Sequence, residues 1–400
     1  MKARYKYRFY PTNQQEKSLA QLFGCVRVVF NDALALCKKS HKLPKLTELL
    51  NLVITQAKKT KDRAWLGEVS SVALQQSLRD LGVAYQNFFA SIKGKRKGRK
   101  IKPPRFKKRR NKQCARLTRN AFTIKNGAVY LAKIGTVKPV WSRELPSIPS
   151  SVTIIKDCAN RYFLSFVVEI EKQPAKLTKK TIGIDLGIKT FATFDTGEKI
   201  DAPKPLKKNL KRLRKLQQNL SRKKRGSKRY EHDRLKVAKL HARIKDLRSD
   251  FLHKLSTQII RDNQTIVLED LNVSGMVKNR KLSIAISDLG WREFRTLLEA
   301  KAEKYERDFQ VIDRWEPTSQ TCSNCGFRGG KLDLSIREWQ CLNCETIHDR
   351  DVNAAINIKV AGGLRETLNG RGEGRKTSVK EAAFSETSTH QEFIQLSLFG

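Results

Sequence analysis

Cys322, Cys325, Cys341 and Cys344 stand as two Cys-x2-Cys pairs with fifteen residues between them, and that spacing dictates what residues 318–347 can become. Two such knuckles supply four thiolates to one tetrahedral zinc, which replaces the hydrophobic core that so short a segment cannot build. A pair of disulfides would use the same residues. Against that, Cys25, Cys37, Cys114 and Cys158 are scattered singly along the chain, and single thiols beside a metal-type cluster suit a reducing, cytoplasmic compartment. Four sulfurs close the coordination sphere, so a structural zinc is expected. Gly326 follows the first knuckle, where a left-handed residue belongs; Glu345 holds the equivalent place after the second and is expected to weaken that turn without removing a ligand. His348, just beyond, is expected on the surface or beside a ligand.

Charge constrains the remainder. The 400 residues carry 82 Lys and Arg against 39 Asp and Glu, a formal +43, and such an excess repels itself unless a polyanion neutralises it. One turn of duplex DNA has too few phosphates for the task, whereas an RNA of many tens of nucleotides has enough. Two stretches, Gly94 to Lys112 and Lys207 to Arg229, each hold twelve cations and no acid. They read as surfaces that track a phosphate backbone without reading bases. The first, with its prolines and glycines, reads as a loop or linker. Gln75, Gln76 and Ser77 are candidates to touch base edges. No apolar leader follows Met1 and no run approaches the ~18 apolar residues of a membrane span, so a soluble chain is expected.

Along the sequence, the first ten residues alternate aromatic and basic side chains around Tyr5, Tyr7 and Phe9, as a strand does. Residues 14–36 and 72–89 repeat apolar side chains at helical spacing. From Phe122 to Ile170 short β-rich runs alternate with turn signals and suggest a small barrel that the N-terminal strand would complete. A second domain begins near Lys179 with a short buried strand ending at Asp185. Two basic amphipathic helices follow, then a strand ending at Glu269, a helix after Gly290 and a strand near Phe309. The residues after Gly362 are polar and expected to be disordered, with an apolar element near 393–399.

Strands of an α/β sheet point the side chains at their carboxyl ends into one crevice, so Asp185 and Glu269 are placed to share a cation. Each alone is an ordinary strand-end acid. Asp351, which opens the helical run 352–358, is a third candidate and also a plain helix cap; the small pair Ala354 and Ala355 would let that helix approach a sheet closely.

Gly183-Ile-Asp-Leu-Gly-Ile-Lys, Val267-Leu-Glu-Asp-Leu and His348-Asp-Arg-Asp-Val-Asn-Ala-Ala-Ile-Asn-Ile resemble the three catalytic segments of TnpB (OrfB) proteins, relatives of type V CRISPR effectors. The likeness extends to Gly24-Cys-Val-Arg-Val-Val-Phe-Asn, Pro104-Arg-Phe-Lys-Lys and Ser287-Asp-Leu-Gly-Trp-Arg-Glu-Phe, and covers nearly all of the chain but its last forty residues. It implies an RNA-guided, RuvC-type endonuclease with an RNase H-like fold, cutting double-stranded target DNA beside a short motif. Carried over residue by residue, the catalytic acids fall on Asp185, Glu269 and Asp351, with Asp349 the weaker choice for the third. They would hold two Mg2+ ions, oxygen-seeking cations that suit carboxylates. The implied architecture is α/β plus β-barrel and helical parts. Residues 1–12 would form the first strand of a wedge barrel, 13–112 a helical recognition domain with its basic linker, and 113–178 the rest of the barrel. Residues 179–317 would form the nuclease, 318–347 its inserted zinc ribbon, 348–362 the last nuclease segment and 363–400 a tail. The implied partners are a guide RNA and target DNA, with one chain per RNA, in the cytoplasm with the nucleoid. Nuclease-inactive RNA-guided regulators and accessory transposition factors are the competing readings; the inactive descendants lose one or more acids, and this chain has all three.

Overall fold

The computed structural model describes residues 1–96, 100–330, 333 and 335–363. The expected tail beyond Gly363, the apolar element within it and residues 97–99 of the first basic run lie outside the described residues. The chain divides into two compact units, Met1–Ile170 and the residues from Glu171 onward.

The first unit contains β1 (Lys2–Phe9), α1 (Asn13–Lys39), α2 (Leu46–Leu50), α3 (Ser71–Ile92), β2 (Gln113–Thr118), β3 (Phe122–Lys125), β4 (Ala128–Leu131), β5 (Gly135–Val137), β6 (Pro139–Val140), β7 (Ser151–Lys156) and β8 (Tyr162–Glu169). The N-terminal strand joins the later ones as its pattern predicts: β1 runs antiparallel to β8 from Lys2↔Glu169 to Phe9↔Tyr162. A closed barrel does not form among the described residues. One five-stranded sheet has the order β2-β7-β8-β1-β6 and a separate three-stranded sheet the order β3-β4-β5. The edge strand β6 is only two residues long and starts at Pro139, which lacks an amide hydrogen to extend the ladder.

Helix α1 starts at a reciprocal cap, with the Thr12 hydroxyl accepting from the Gln15 amide and the Gln15 side chain accepting from Thr12; this satisfies two otherwise orphaned amides. It is long and apolar enough to cross a membrane, yet its stripe of Leu19, Leu22, Phe23 and Val26 is buried in this unit's core. Packing against that stripe corrects one expectation. Gln76 and Ser77 are 6% and 2% exposed, and the Ser77 hydroxyl donates to the Val26 carbonyl at 3.0 Å; of the three polar candidates for base contact only Gln75 is exposed.

The second unit contains β9 (Thr181–Asp185), β10 (Ala192–Phe194), β11 (Lys199–Ile200), α4 (Pro205–Ser221), α5 (Lys228–Asp262), β12 (Thr265–Glu269), α6 (Val273–Met276), α7 (Ser283–Leu289), α8 (Trp291–Tyr305), β13 (Asp308–Ile312), β14 (Glu338–Gln340), β15 (Ile347–Asp349) and α9 (Arg350–Gly363). Its main sheet has the order β11-β10-β9-β12-β13, with β9, β12 and β13 parallel and the short hairpin β10–β11 added antiparallel. Both faces of β9 and β12 are covered, which is why they read as continuous apolar runs, whereas the edge strand β13 exposes Asp308 and Gln310. Ile182, Ile184, Ile266 and Leu268 pack with α5 and α8. Val267 and Ile312 turn the other way, onto Ile358 of α9. The long basic helices α4 and α5 join through Leu213, Leu240 and Ile244, leaving most of their cations exposed.

Candidate metal centres of the second unit

Side chains alternate along a strand, so the burial of β9 and β12 tells where their terminal acids point. Val267 faces α9, and Glu269, two residues on, shares its face. Gly183 also faces α9: a methyl built on it would run into the Ala355 carbonyl oxygen. Asp185, two residues beyond, therefore projects to the same side. The register pairs Ile184 with Leu268, the residues that immediately precede the two acids. Asp351 lies in the first turn of α9, the helix that covers this face.

The electrostatics follow from that geometry. Burial, with Asp351 and Glu269 close by, pushes the Asp185 carboxyl up to about 7, against the opposing pull of Arg350 and a hydrogen bond from the Leu186 amide. Burial also raises Glu269, with Asp270 adding to it. The donors are all oxygens and the site is over-supplied with negative charge, which a cation of high charge density relieves. Unlike the four thiols, the three carboxylates are not gathered into a single-ion cluster of the tightness seen at the cysteines.

Neighbouring acids are otherwise engaged. Asp349 accepts from the amides of Asp351 and Val352, both at 3.0 Å, and pairs with Lys199 at 2.6 Å. Burial would raise its pKa, but Lys199 and these amides hold it below the usual carboxylate range. It is the cap of α9. Asp270 points to Arg295, at 2.5 Å, and to Arg314. Arg337 reaches Asp351 at 3.4 Å.

Close docking of α9 depends on residues that pattern alone passed over. Asp195 accepts from the Gly183 amide at 2.9 Å and from Lys359 of α9 at 2.6 Å, and Gly362 leaves room for Val267. Gly183 was visible as part of a motif; its spatial role is legible only once α9 is known to cross it. The expected small pair Ala354 and Ala355 is buried at this contact, at 3% and 0% exposure.

The four cysteines converge. Their sulfurs lie within 4.8 Å of one another, with Cys322 and Cys344 at 3.6 Å and Cys325 and Cys341 at 3.6 Å. Tetrahedral zinc with bonds of ~2.3 Å requires sulfurs roughly 3.8 Å apart, so the donor set fits. Each knuckle closes by the same amide-to-carbonyl bond, Gly326 to Cys322 and Glu345 to Cys341, both at 2.9 Å. The knuckles also exchange donors: Asn324 points to the Cys344 sulfur at 3.6 Å and Asn343 to the Cys325 sulfur at 3.5 Å. Gly326 has φ 76° and Glu345 φ 57°, so the glutamate does occupy the left-handed turn. His348 is 8% exposed, with Nε2 3.0 Å from the Cys322 sulfur; it sits beside a candidate ligand.

Comparison with known proteins finds relatives along most of the chain. The OrfB/IS605 family model, described as "Probable transposase", matches residues 165–280. A Cas12f1-like TNB domain matches residues 291–358 and an OrfB/IS605 helix-turn-helix domain matches residues 1–45. A Streptomyces pristinaespiralis protein named "Putative RNA-guided DNA endonuclease" is 46% identical over 373 residues, 90% of each chain. InsQ of Escherichia coli K12, of the same name, is 31% identical over 380 residues, covering 90% of this chain and 92% of InsQ. In fold, the chain is similar to Cas12f1 in a complex with guide RNA and target DNA, at a TM-score of 0.55 and 12% identity over 90% of this chain and 98% of that one.

Proposed function

The chain belongs to the TnpB (OrfB/IS605) family, and from that premise we propose that it is an RNA-guided DNA endonuclease of a transposable element, cutting beside a short element-associated motif by Mg2+-dependent hydrolysis. Asp185, Glu269 and Asp351 hold the cations in this reading. The observation that carries it is the convergence of three distant sequence segments on one face at the end of a parallel sheet, close enough for Asp351 and Glu269 to raise Asp185. An acid cluster of that kind is costly to keep without a counter-cation. Bound Mg2+ supplies water activation and stabilisation of the departing oxygen of a phosphodiester.

The protein's own contribution is position. Strands β9 and β12 fix Asp185 and Glu269 on rigid backbone, and α9, capped by Asp349, carries Asp351. Cys322, Cys325, Cys341 and Cys344 bind a zinc that keeps the ribbon folded. The cations of 94–112 and 207–229 take up the backbone of a guide RNA and of the target strand, while guide pairing selects the sequence. One chain acts with one RNA.

Guide-loaded protein incubated with a matched plasmid tests this. Asp185→Ala, Glu269→Ala and Asp351→Ala are each expected to abolish cutting and leave RNA and DNA binding within about twofold, since the acids touch no bases. Asp349→Ala, which removes a cap, is expected to retain more activity than Asp351→Ala. Cutting that persists in EDTA, or at the parental rate in Asp185→Ala, refutes the proposal.

A further inference from the structure

We propose that Asn353 and Asn357 form a latch through which the zinc knuckles set the position of Asp351. The two asparagines lie one turn apart on α9, just beyond Asp351. Asn353 is 1% exposed, and every polar atom of its amide is used. Its Oδ1 accepts from the Ser323 amide at 2.9 Å, inside the first knuckle, and its Nδ2 donates to the carbonyls of Thr321 at 2.9 Å and Thr318 at 3.4 Å. Asn357 Nδ2 donates to the same two carbonyls, at 2.7 Å and 2.8 Å. Successive turns of α9 thus grip the chain segment that leads into Cys322.

The second knuckle reaches the same helix by another route. β15, which follows Cys344 and pairs with β14, runs directly into α9 at Arg350. His348 on β15 lies against the Cys322 sulfur. The start of α9 is therefore held by covalent continuity with one knuckle and by the asparagine latch to the other, and a single metal closes the two knuckles on each other.

A ribbon of this size takes most of its folding energy from the metal. Without zinc, Ser323 and Thr321 lose the geometry that meets Asn353, and a buried amide is left without partners, a costly state. The first turn of α9 is then free to shift, and Asp351 with it. The plainer alternative is that these asparagines only satisfy buried backbone groups; in that case zinc and Asp351 need not be coupled. The inference rests on the reading of Asp351 as a cation ligand, and the test below separates the two.

The experiment uses the full chain with its guide RNA, zinc-loaded or treated with a zinc-selective chelator that spares Mg2+. The parent is compared with Asn353→Ala/Asn357→Ala. Two quantities are read: hydrogen exchange of the amides of residues 349–358, and the Mg2+ concentration giving half-maximal plasmid cutting. In the parent, zinc removal is expected to speed the exchange and raise that concentration about tenfold, the scale of contacts that orient metal ligands. In the variant both are shifted while zinc is still bound, and removing zinc changes them by less than about twofold, because the link is already cut. At saturating Mg2+ the zinc-loaded variant recovers most of its rate. An equal response to zinc removal in parent and variant, or no response in the parent, overturns the latch. If the double variant does not retain zinc, Asn357→Ala, which leaves all of the Asn353 bonds in place, carries the same comparison with a smaller shift expected. Asp351→Asn is expected to keep the parental exchange pattern and lose cutting; parental cutting there removes the cation reading and leaves the exchange data to judge the latch alone.

Discussion

Gly183→Ala probes how closely α9 lies on the sheet. The added methyl would press on the Ala355 carbonyl oxygen and sit 2.7 Å from both the amide nitrogen and the Cβ of Lys359. Comfortable contact for such atoms begins near ~3.5 Å, so the helix must retreat by more than roughly 0.8 Å, because the Ala355 oxygen lies nearer still. Two of the three obstructing atoms are backbone and cannot swing aside as the end of a side chain does. Overpacking of a tight core costs about 1–3 kcal/mol, and rigid neighbours put this substitution near the top, at about 3 kcal/mol. The effect on cutting is expected to be larger than stability alone implies, because the retreat moves Asp351 away from Asp185, and a displacement of ~1 Å at a reacting centre can cost on the order of 100-fold. The measurements are urea unfolding and single-turnover plasmid cutting by guide-loaded protein. Gly24→Ala is the control: Gly24 lies inside α1 with nothing within 4 Å of a built Cβ, and alanine there is expected to stabilise by roughly 0.5–1 kcal/mol. Gly183→Ala unfolding within about 0.5 kcal/mol of the parent, and cutting at its rate, would show that α9 does not need this contact.

Cys322→Ser is expected to reduce bound zinc from one per chain to near zero by elemental analysis; unchanged zinc would contradict the four-thiolate site. Glu345→Gly removes a left-handed non-glycine residue, a strain of about 1 kcal/mol, so zinc should be released roughly fivefold less readily in a chelator competition; equal or easier release would count against the strain. Lys301 donates to the His253 carbonyl and to the hydroxyls of Ser256 and Thr257, while burial, with Lys304 nearby, draws its pKa down to about 8. Its folded pKa lies below the unfolded value, so the charged form is penalised below pH ~8 and stability should rise from there toward pH ~10.5. Comparing urea unfolding across that range, the rise should be smaller in Lys301→Met; identical slopes would refute the assignment.

What the sequence disclosed tracks how local the signal was. The strands ending at Asp185 and Glu269 are uninterrupted apolar runs, and they fold as read, because burial on both faces leaves no other use for such runs. The four-cysteine cluster was legible for the same reason: the spacing within each Cys-x2-Cys pair is itself the geometry. β10 and β11, of three and two residues, are too short to show a period. The expected barrel depended on which strands pair at long range, and the turn pattern that suggested it is shared by the two open sheets that form. Gln76 and Ser77 illustrate the opposite failure: polar side chains on an amphipathic helix were read as outward-facing, while the bond from Ser77 to the Val26 carbonyl lets a hydroxyl sit inside. Asn353 and Asn357 stand in the third quoted motif, but their contacts, like those of Asp195, are set only by the tertiary crossing of α9 and could not be read from the sequence.

The order of these elements along the chain also bears on biosynthesis. The sheet takes one acid from β9 and one from β12, and its covering helix α9 emerges 166 residues after Asp185 (351 − 185). At translation rates of roughly 5–20 residues per second, that separation corresponds to about 10–30 s on the ribosome. Once β12 has been made both cation-rich stretches are already present, whereas the acid set is incomplete until Asp351. On the reading that Asp351 is a cation ligand, a product truncated between residues 269 and 351 keeps both cation-rich stretches but carries no complete acid set.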